Sequence, residues 1–407
     1  MPSDTSGTAS DGSLLFRTSS AMNYLETISN ANNLWDAFLN SRKGSQWKSS
    51  TQHCEANLLR TVCRLRQELR DGTYRQKPFV EFFLSERGKT RPIRSHHVTD
   101  RIVQRSLCDN ALIPALSRYL IYDNGASLKH KGVSFSRKRL QVHLQKFLRN
   151  HTDGYVLLLD FSKFFDNIPH EQFLQRVQSC LGADTSLLPL LRHILASFSL
   201  DVSYMTDAEY DTYNSCAKPI DSITHRGHLA AYAGKRGSKI LRKSMGIGSQ
   251  ISQIGGVFYP TVIDHYFKCV LGVQCYGRYM DDIYVIHEDK HFLQQALRRF
   301  MDAATALGLF VNPKKSHIVR LSHGFTFLKT RYSVNTGRVE AHADNITFVR
   351  ERRRLKRYRR LLERKQLTRK MISNAYQSWR GTVRKHAHRW HNLQYTDGLY
   401  MRLFYYR

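Results

Sequence analysis

Apolar positions along this 407-residue chain switch repeatedly between helical and strand spacing, which predicts a mixed α+β fold. Leu25 to Arg42 and Thr51 to Leu69 read as helices. In the second, Cys54, Leu58, Val62, Leu65 and Leu69 recur near helical spacing and Gly72 ends the run. Phe79 to Leu84 and Thr90 to Arg94 read as two strands joined by Glu86-Arg87-Gly88-Lys89. Helices are predicted over Thr99 to Leu120, Ser134 to Leu148, Leu187 to Phe198, Ile251 to Val270 and His291 to Leu307. Tyr155 to Leu159 is a short apolar run of strand length, and Asp166-Asn167-Ile168-Pro169-His170 is a turn that opens a helix. Val273 to Tyr279 and Ile283 to Ile286 flank an acidic pair, the pattern of a hairpin with two aspartates at its turn. Asn335-Thr336-Gly337 is a further hairpin turn. Two helices close the chain, one marked by Phe348, Leu355, Leu361 and Leu362, the other running from Arg369 to about Ala387.

Composition narrows the partners. The formal net charge is +30 and hydrophobic residues make up 41%, so the chain can fold and still carry a strongly positive field. The charge is spread over segments that read as folded, which favours nucleic acid as the partner. A membrane surface would require an amphipathic apolar face beside the charge, and none is evident. The seven cysteines form no CxxC pair, which argues for reduced core thiols over a zinc site or disulfide framework. No stretch reaches transmembrane length. Met1 to Ser20 is small and polar without an apolar core; it reads as a disordered lead and not a signal peptide, and the expected location is the cytoplasm.

The acids carry the chemistry. Asp281 and Asp282 are adjacent like charges, and such a pair is costly unless a cation sits on it. Asp160 follows the apolar run Tyr155 to Leu159, where core packing has no use for an acid, so it should be paired or metal-bound. Three carboxylates supply the oxygen ligands that suit Mg²⁺. Two such ions would activate an attacking hydroxyl and stabilise a leaving pyrophosphate, the template for nucleotidyl transfer.

Tyr279-Met280-Asp281-Asp282 resembles the YxDD box of reverse transcriptases, and Leu159-Asp160-Phe161-Ser162-Lys163-Phe164-Phe165-Asp166 resembles their preceding palm motif. The ordered set from about Phe79 to Phe327 is similar to the bacterial and phage branch related to group II intron enzymes. The resemblance implies that Lys89, Arg91 and Arg94 face the incoming triphosphate, and that Asn124 to Gly132 lies along the template. It implies that Phe165 blocks a ribose 2′-OH. Where many relatives place Gln-Gly, three residues and Ser-Pro, this chain has Ile247-Gly248, three residues and Ser252-Gln253. That variant resembles the enzymes of diversity-generating retroelements and defence-associated relatives. Lys314 and Lys315 are both candidates for protonating the leaving pyrophosphate. His323-Gly324-Phe325-Thr326-Phe327-Leu328 resembles the primer-grip strand. Template and primer contacts are thus expected at Tyr279, Met280, Ser252, Gln253 and Gly324, and at Arg353, Arg357 and Arg360 of a helical thumb.

The expected architecture is an α+β right-hand polymerase. A lead (1–20) precedes N-terminal helices and fingers (21–150), a palm (151–330) interrupted by an insertion at about 200–240, and a basic helical thumb (331–407). The expected reaction is copying of RNA into DNA with two Mg²⁺ ions. The expected partners are dNTPs, a DNA or RNA primer, and an RNA template that a dedicated non-coding RNA would suit; an accessory protein is allowed. Antiphage defence in a bacterial host is the leading role and diversity generation the alternative. A non-catalytic, maturase-like RNA-binding protein and an RNA-dependent RNA polymerase are the rivals; the intact acids oppose the first and Phe165 the second.

Overall fold

The computed structural model describes residues 23–86, 89–220, 228–229, 239–335, 337–384 and 390–406. Four helices lead the described chain: α1 (Tyr24–Ser29), α2 (Ala31–Ser41), α3 (Ser49–Ala56) and α4 (Leu58–Arg70). Each of the two long N-terminal helices expected from the sequence is therefore broken in two. Asn30 stops the first because its side chain accepts from Asn32 N–H and caps α2 instead. Asn57 breaks the second, and its amide turns back onto the His53 carbonyl. The expected hairpin follows as β1 (Val80–Glu86) and β2 (Lys89–Ser95), an isolated pair of antiparallel strands in which Glu86 pairs with Lys89. Arg87 and Gly88 at its tip lie outside the described residues.

The helix expected from Thr99 to Leu120 is α5 (Val98–Leu107), a π-turn over Cys108–Leu112, and α6 (Ile113–Ser117). Helix α7 (Val133–Phe147) then leads into a four-stranded antiparallel sheet. Its strands are β3 (Tyr155–Leu159), β7 (Tyr276–Tyr279), β8 (Asp282–His287) and β9 (His317–Arg320), in the order β7-β8-β3-β9. Between β3 and β7 run α8 (Phe164–Asn167), α9 (His170–Leu181), α10 (Leu188–Ala196), β4 (Leu200–Asp201), α11 (Asp207–Asn214), β5 (His228–Leu229), β6 (Ile240–Leu241), α12 (Gln250–Phe258) and α13 (Thr261–His265). The expected insertion thus has structure of its own: β4 pairs with both β5 and β6, and α11 opens on a reciprocal Thr206–Glu209 capping box. The long helix expected from Ile251 to Val270 is interrupted. Pro260 supplies no N–H, α12 stops at Phe258, and the remainder is α13 and a π-turn over Tyr266–Val270.

The sheet is apolar on both faces. Leu157, Ile283 and Val285 point to the main core, which includes Leu293 and Phe300 of α14 (Lys290–Ala306). Val156, Tyr284 and Ile286 point the other way, onto Leu140 and Leu144 of α7. Strand alternation thus divides one short sheet between two helix layers. Beyond it, β10 (Phe325–Phe327), β11 (Thr330–Asn335) and β12 (Arg338–Ala343) form a three-stranded antiparallel sheet. Thr336, at the turn expected there, lies outside the described residues.

The chain closes with α15 (Asn345–Glu363), α16 (Arg369–Arg384) and α17 (Trp390–Phe404). Asp344 starts α15 by accepting from Ile346 N–H. The third of these helices was not expected from the sequence. Leu355, Ile372, Tyr376, Tyr400 and Phe404 pack together to hold the three as one unit. Among the described residues no helix is long and apolar enough to cross a membrane.

Candidate active site

Strand register brings the acids together. Leu159 of β3 pairs with Ile283 of β8, so the next residue along β3, Asp160, stands across from Asp282. Tyr279 pairs with Asp282, leaving Met280 and Asp281 as a two-residue hairpin turn. Met280 has φ +56° and Asp281 is not in the left-handed region, the pattern of a type II′ turn in which glycine is usual at the first position. A methionine there costs about 1–3 kcal/mol, so its surroundings must hold it in that conformation.

Asp160 is 3% exposed. The loop after α14 wraps it: Asn312 N–H donates to the Asp160 carbonyl at 2.8 Å, and the Asn312 amide donates to its carboxylate at 3.2 Å. Ser316 Oγ accepts from Asp160 N–H at 3.2 Å. Lys315 Nζ lies 2.8 and 2.7 Å from the two carboxylate oxygens. Burial opposes the charge on Lys315, yet the hydrogen bond to Asp160 and the fields of Asp160, Asp282 and Asp281 push its pKa upward. All three carboxylates therefore act on one ammonium group. Both lysine candidates are exposed, but Lys315 reaches the Asp160 carboxylate, while the Lys314 N–H closes a turn on Asn312 Oδ1.

Among the described residues no group of three or more His, Cys, Asp and Glu side chains is already arranged to hold a metal ion. The donor set nevertheless fits a hard divalent cation: it is oxygen-only, one carboxylate is buried, and a positive charge already sits among the three.

Phe164 and Phe165, adjacent in sequence, sit in different environments. Phe164 is buried and stacks on Phe161 at 5.3 Å. Phe165 is half-buried and meets Phe164 edge-on at 5.1 Å. Its ring lies over Gly256 of α12, where a Cβ would come within 2.7 Å of it. Gly248 has φ +115°, and a Cβ there would stand 2.9 Å from the Arg94 carbonyl. Arg94 N–H in turn donates to the Ile247 carbonyl at 3.1 Å. The loop before α12 is therefore docked on β2 through backbone, which only glycine at 248 allows. Ile247 is half-buried beside it.

Several expected contacts lie elsewhere. Arg94, expected at the triphosphate, is buried with its guanidinium over the rings of Phe79 and Phe198. Lys89 and Arg91 lie on β2, but their side chains are outside the described residues. Ser252, expected at template–primer, is buried, and its hydroxyl donates to the Met245 and Gly246 carbonyls, so it holds the loop. Gln253 is exposed and takes a long hydrogen bond from Ser127 in the basic loop. Gly324 has φ +71°, and a Cβ there would meet the Tyr332 carbonyl at 3.0 Å, which makes it a turn residue at the start of β10. Tyr279 and Met280 are half-buried at the acidic turn. Arg353, Arg357 and Arg360 are exposed, and their spacing along α15 forms one stripe opposite buried Phe348 and Leu355.

Sequence reasoning missed Asn312, which fixes Asp160, and the pair Asp264–Arg278. Arg278 was visible as a charge inside an apolar strand, a signal that a buried partner must exist.

A four-stranded antiparallel sheet with a buried aspartate facing an acidic hairpin turn is the arrangement of a polymerase palm. Residues 77–332 match the family described as reverse transcriptase (RNA-dependent DNA polymerase), and the chain belongs to that family. No curated protein matches the sequence. Among solved structures it is similar to apo telomerase from Candida tropicalis truncated from its C-terminal domain, at 15% identity and a TM-score of 0.43 over 66% of this chain and 56% of that one. It is also similar to telomerase from Candida albicans in complex with a TWJ fragment of telomeric RNA, at 12% identity and a TM-score of 0.44 over 81% of this chain and 59% of that one. The chain thus spans less than two-thirds of either structure.

Proposed function

We propose that this protein copies an RNA template into DNA by adding dNMP units to a primer 3′-hydroxyl. The observation that carries the reading is the β3–β8 register, which sets Asp160 across from Asp282 at the acidic turn, with Lys315 Nζ on the Asp160 carboxylate. The three carboxylates would hold divalent metal, two Mg²⁺ ions in the expected stoichiometry. When bound, that metal lowers the pKa of the attacking hydroxyl and stabilises the leaving pyrophosphate. Lys315, already charged beside Asp160, neutralises the departing group and donates a proton from Nζ. The half-exposed Phe165 ring borders the sugar of the incoming nucleotide and disfavours a 2′-hydroxyl. Lys89 and Arg91 are the candidates for binding the triphosphate, where arginine suits bidentate contact. The α15 stripe of Arg353, Arg357 and Arg360 grips template–primer phosphates without regard to sequence.

The proposed lineage is the bacterial and phage branch related to group II intron enzymes, and the proposed role is antiphage defence with a dedicated RNA. The folded insertion between the two acidic motifs supports that role. One residue favours a second reading: Ile247 has no hydrogen-bonding group where many relatives carry glutamine, which suits mutagenic copying for diversity generation.

Primer extension on a defined RNA tests the activity. Wild type should incorporate dNTPs, lose activity in EDTA, and regain it with Mg²⁺. Asp160→Asn, Asp281→Asn and Asp282→Asn should each abolish synthesis while the protein stays folded and retains RNA. Near-normal synthesis by Asp160→Asn would sink the assignment. Sequencing the co-purified RNA and its cDNA, together with phage plating, separates defence from diversity generation.

A further inference from the structure

Beneath the acidic turn lies a fully buried ion pair. Arg278, on β7, and Asp264, on α13, have side-chain exposures of 0% and 0%. Arg278 Nε donates to Asp264 Oδ1 at 2.8 Å, and a terminal guanidinium nitrogen donates to Oδ2 at 2.5 Å. Tyr276 Oη donates to the same carboxylate at 2.6 Å. Burial penalises the Arg278 cation, but the Asp264 charge and hydrogen bonds push its pKa up, so it stays charged.

The donors left over reach three carbonyls in two directions, toward α12 and toward the acidic turn. One reaches the Val257 carbonyl at the end of α12 at 2.7 Å. Another spans the Met280 carbonyl at 3.2 Å and the Gly256 carbonyl at 3.5 Å. The Arg278 main chain pairs with the segment that begins the basic loop: its N–H donates to the Asp123 carbonyl, and its carbonyl accepts from Gly125 N–H. One side chain is therefore bonded to the strained residue of the acidic turn and to the helix on which Phe165 rests.

We propose that Arg278, locked by Asp264, is a positioning residue: it holds Met280 in its positive-φ conformation and so sets where Asp281 and Asp282 stand relative to Asp160. The inference rests on the acidic triad being the catalytic centre. A planar guanidinium can serve Asp264 and two carbonyl directions at once, whereas an ammonium cannot. A charge pair needed only for folding would be replaceable by apolar side chains of similar volume, often at no cost. A positioning pair would not be, because the Met280 carbonyl would lose its tether.

Three variants test this, with thermal melting, kcat and KM for dNTP, and Mn²⁺ binding followed by electron paramagnetic resonance in the absence of nucleotide. Arg278→Lys keeps the buried charge pair. It should fold, lose kcat by about 10–100-fold and weaken Mn²⁺ binding by about the same factor, the usual range when a group orienting a metal ligand is removed. KM should move far less. The double variant Arg278→Met with Asp264→Leu should fold and show the same split. Tyr276→Phe removes a bond to Asp264 but not the tether, so it should lower the melting temperature and leave kcat and Mn²⁺ affinity alone.

Wild-type kcat and Mn²⁺ affinity in either folded Arg278 variant would overturn the proposal. If neither variant folds, the pair is a folding element and the positioning claim falls. If kcat follows melting temperature across all three variants, the claim falls as well. A wild-type protein that neither extends a primer nor binds Mn²⁺ refutes the catalytic reading itself, and this inference with it.

Discussion

Replacing Phe165 with valine separates two roles that one ring could play, and its neighbour provides the control. Phe164 is 3% exposed and stacked on Phe161, so truncating it leaves a cavity that its surroundings cannot fill. Losing a buried phenylalanine altogether costs about 3–5 kcal/mol; valine keeps part of the volume, so Phe164→Val should cost about 2–3 kcal/mol. Phe165 is half-buried and rests on Gly256, so Phe165→Val should cost about half as much. Sugar selection should move the other way. With the ring gone, a 2′-hydroxyl no longer meets an obstacle, and relief of a contact this small is worth about 1–3 kcal/mol, or roughly 10–200-fold in relative kcat/KM. The assay is single-nucleotide extension on one primer–template with dNTP and rNTP in parallel, beside a melting curve for each variant. Phe165→Val should raise the rNTP/dNTP ratio at a small stability cost, and Phe164→Val should lose stability with the ratio unchanged. An active Phe165→Val protein with the wild-type ratio would refute the reasoning, as would a ratio that moves with Phe164 instead.

Three further outcomes are expected. Gly248→Ala forces a Cβ to 2.9 Å from the Arg94 carbonyl at φ +115°, so it should cost about 1–3 kcal/mol in urea denaturation and raise KM for dNTP; unchanged values would show that the loop yields freely. Burial, opposed by hydrogen bonds from Tyr74 Oη and Lys77 N–H, lifts the Asp100 pKa to about 6. That raised value favours the protonated form on folding, so its contribution is complete below about pH 4 and is lost as pH rises through about 6. Asp100→Asn should therefore gain on wild type by on the order of 2–3 kcal/mol between pH 4 and pH 7, and a difference that ignores pH would rule this out. Replacing Arg353, Arg357 and Arg360 one at a time with alanine should weaken RNA binding equally on unrelated sequences and lower the slope of log affinity against log salt by about 1 each; sequence-dependent losses would contradict phosphate contact.

Local pattern was enough to place the strands that carry the candidate acids. The apolar run ending in Asp160, the apolar flanks of Asp281 and Asp282, and the β1–β2 hairpin are short apolar segments bounded by turns, and each contains a strand, the one before the acidic pair being shortened to Tyr276–Tyr279. Such signals survive because a short strand flanked by turns has one way to bury its side chains. Helix breaks at Asn30, Asn57 and Pro260 were less legible, since continuous apolar spacing does not say which polar residue will cap and which will point to solvent. What only the tertiary structure decided is how two similar neighbours are placed. Lys315 and not Lys314 meets Asp160, because the turn that Lys314 N–H closes on Asn312 puts the next side chain beside that carboxylate. Phe165 and not Phe164 is left half-exposed, because α8 lays one ring on Phe161 and the other on Gly256. Arg94 and Ser252 were drawn into packing and loop-holding. Arg278 found Asp264 across fourteen residues of chain, an encounter set by how α13 packs behind β7. A residue type and a spacing specify what a side chain can do; the direction it faces depends on contacts that are distant in sequence, and those contacts exist only once the chain has folded.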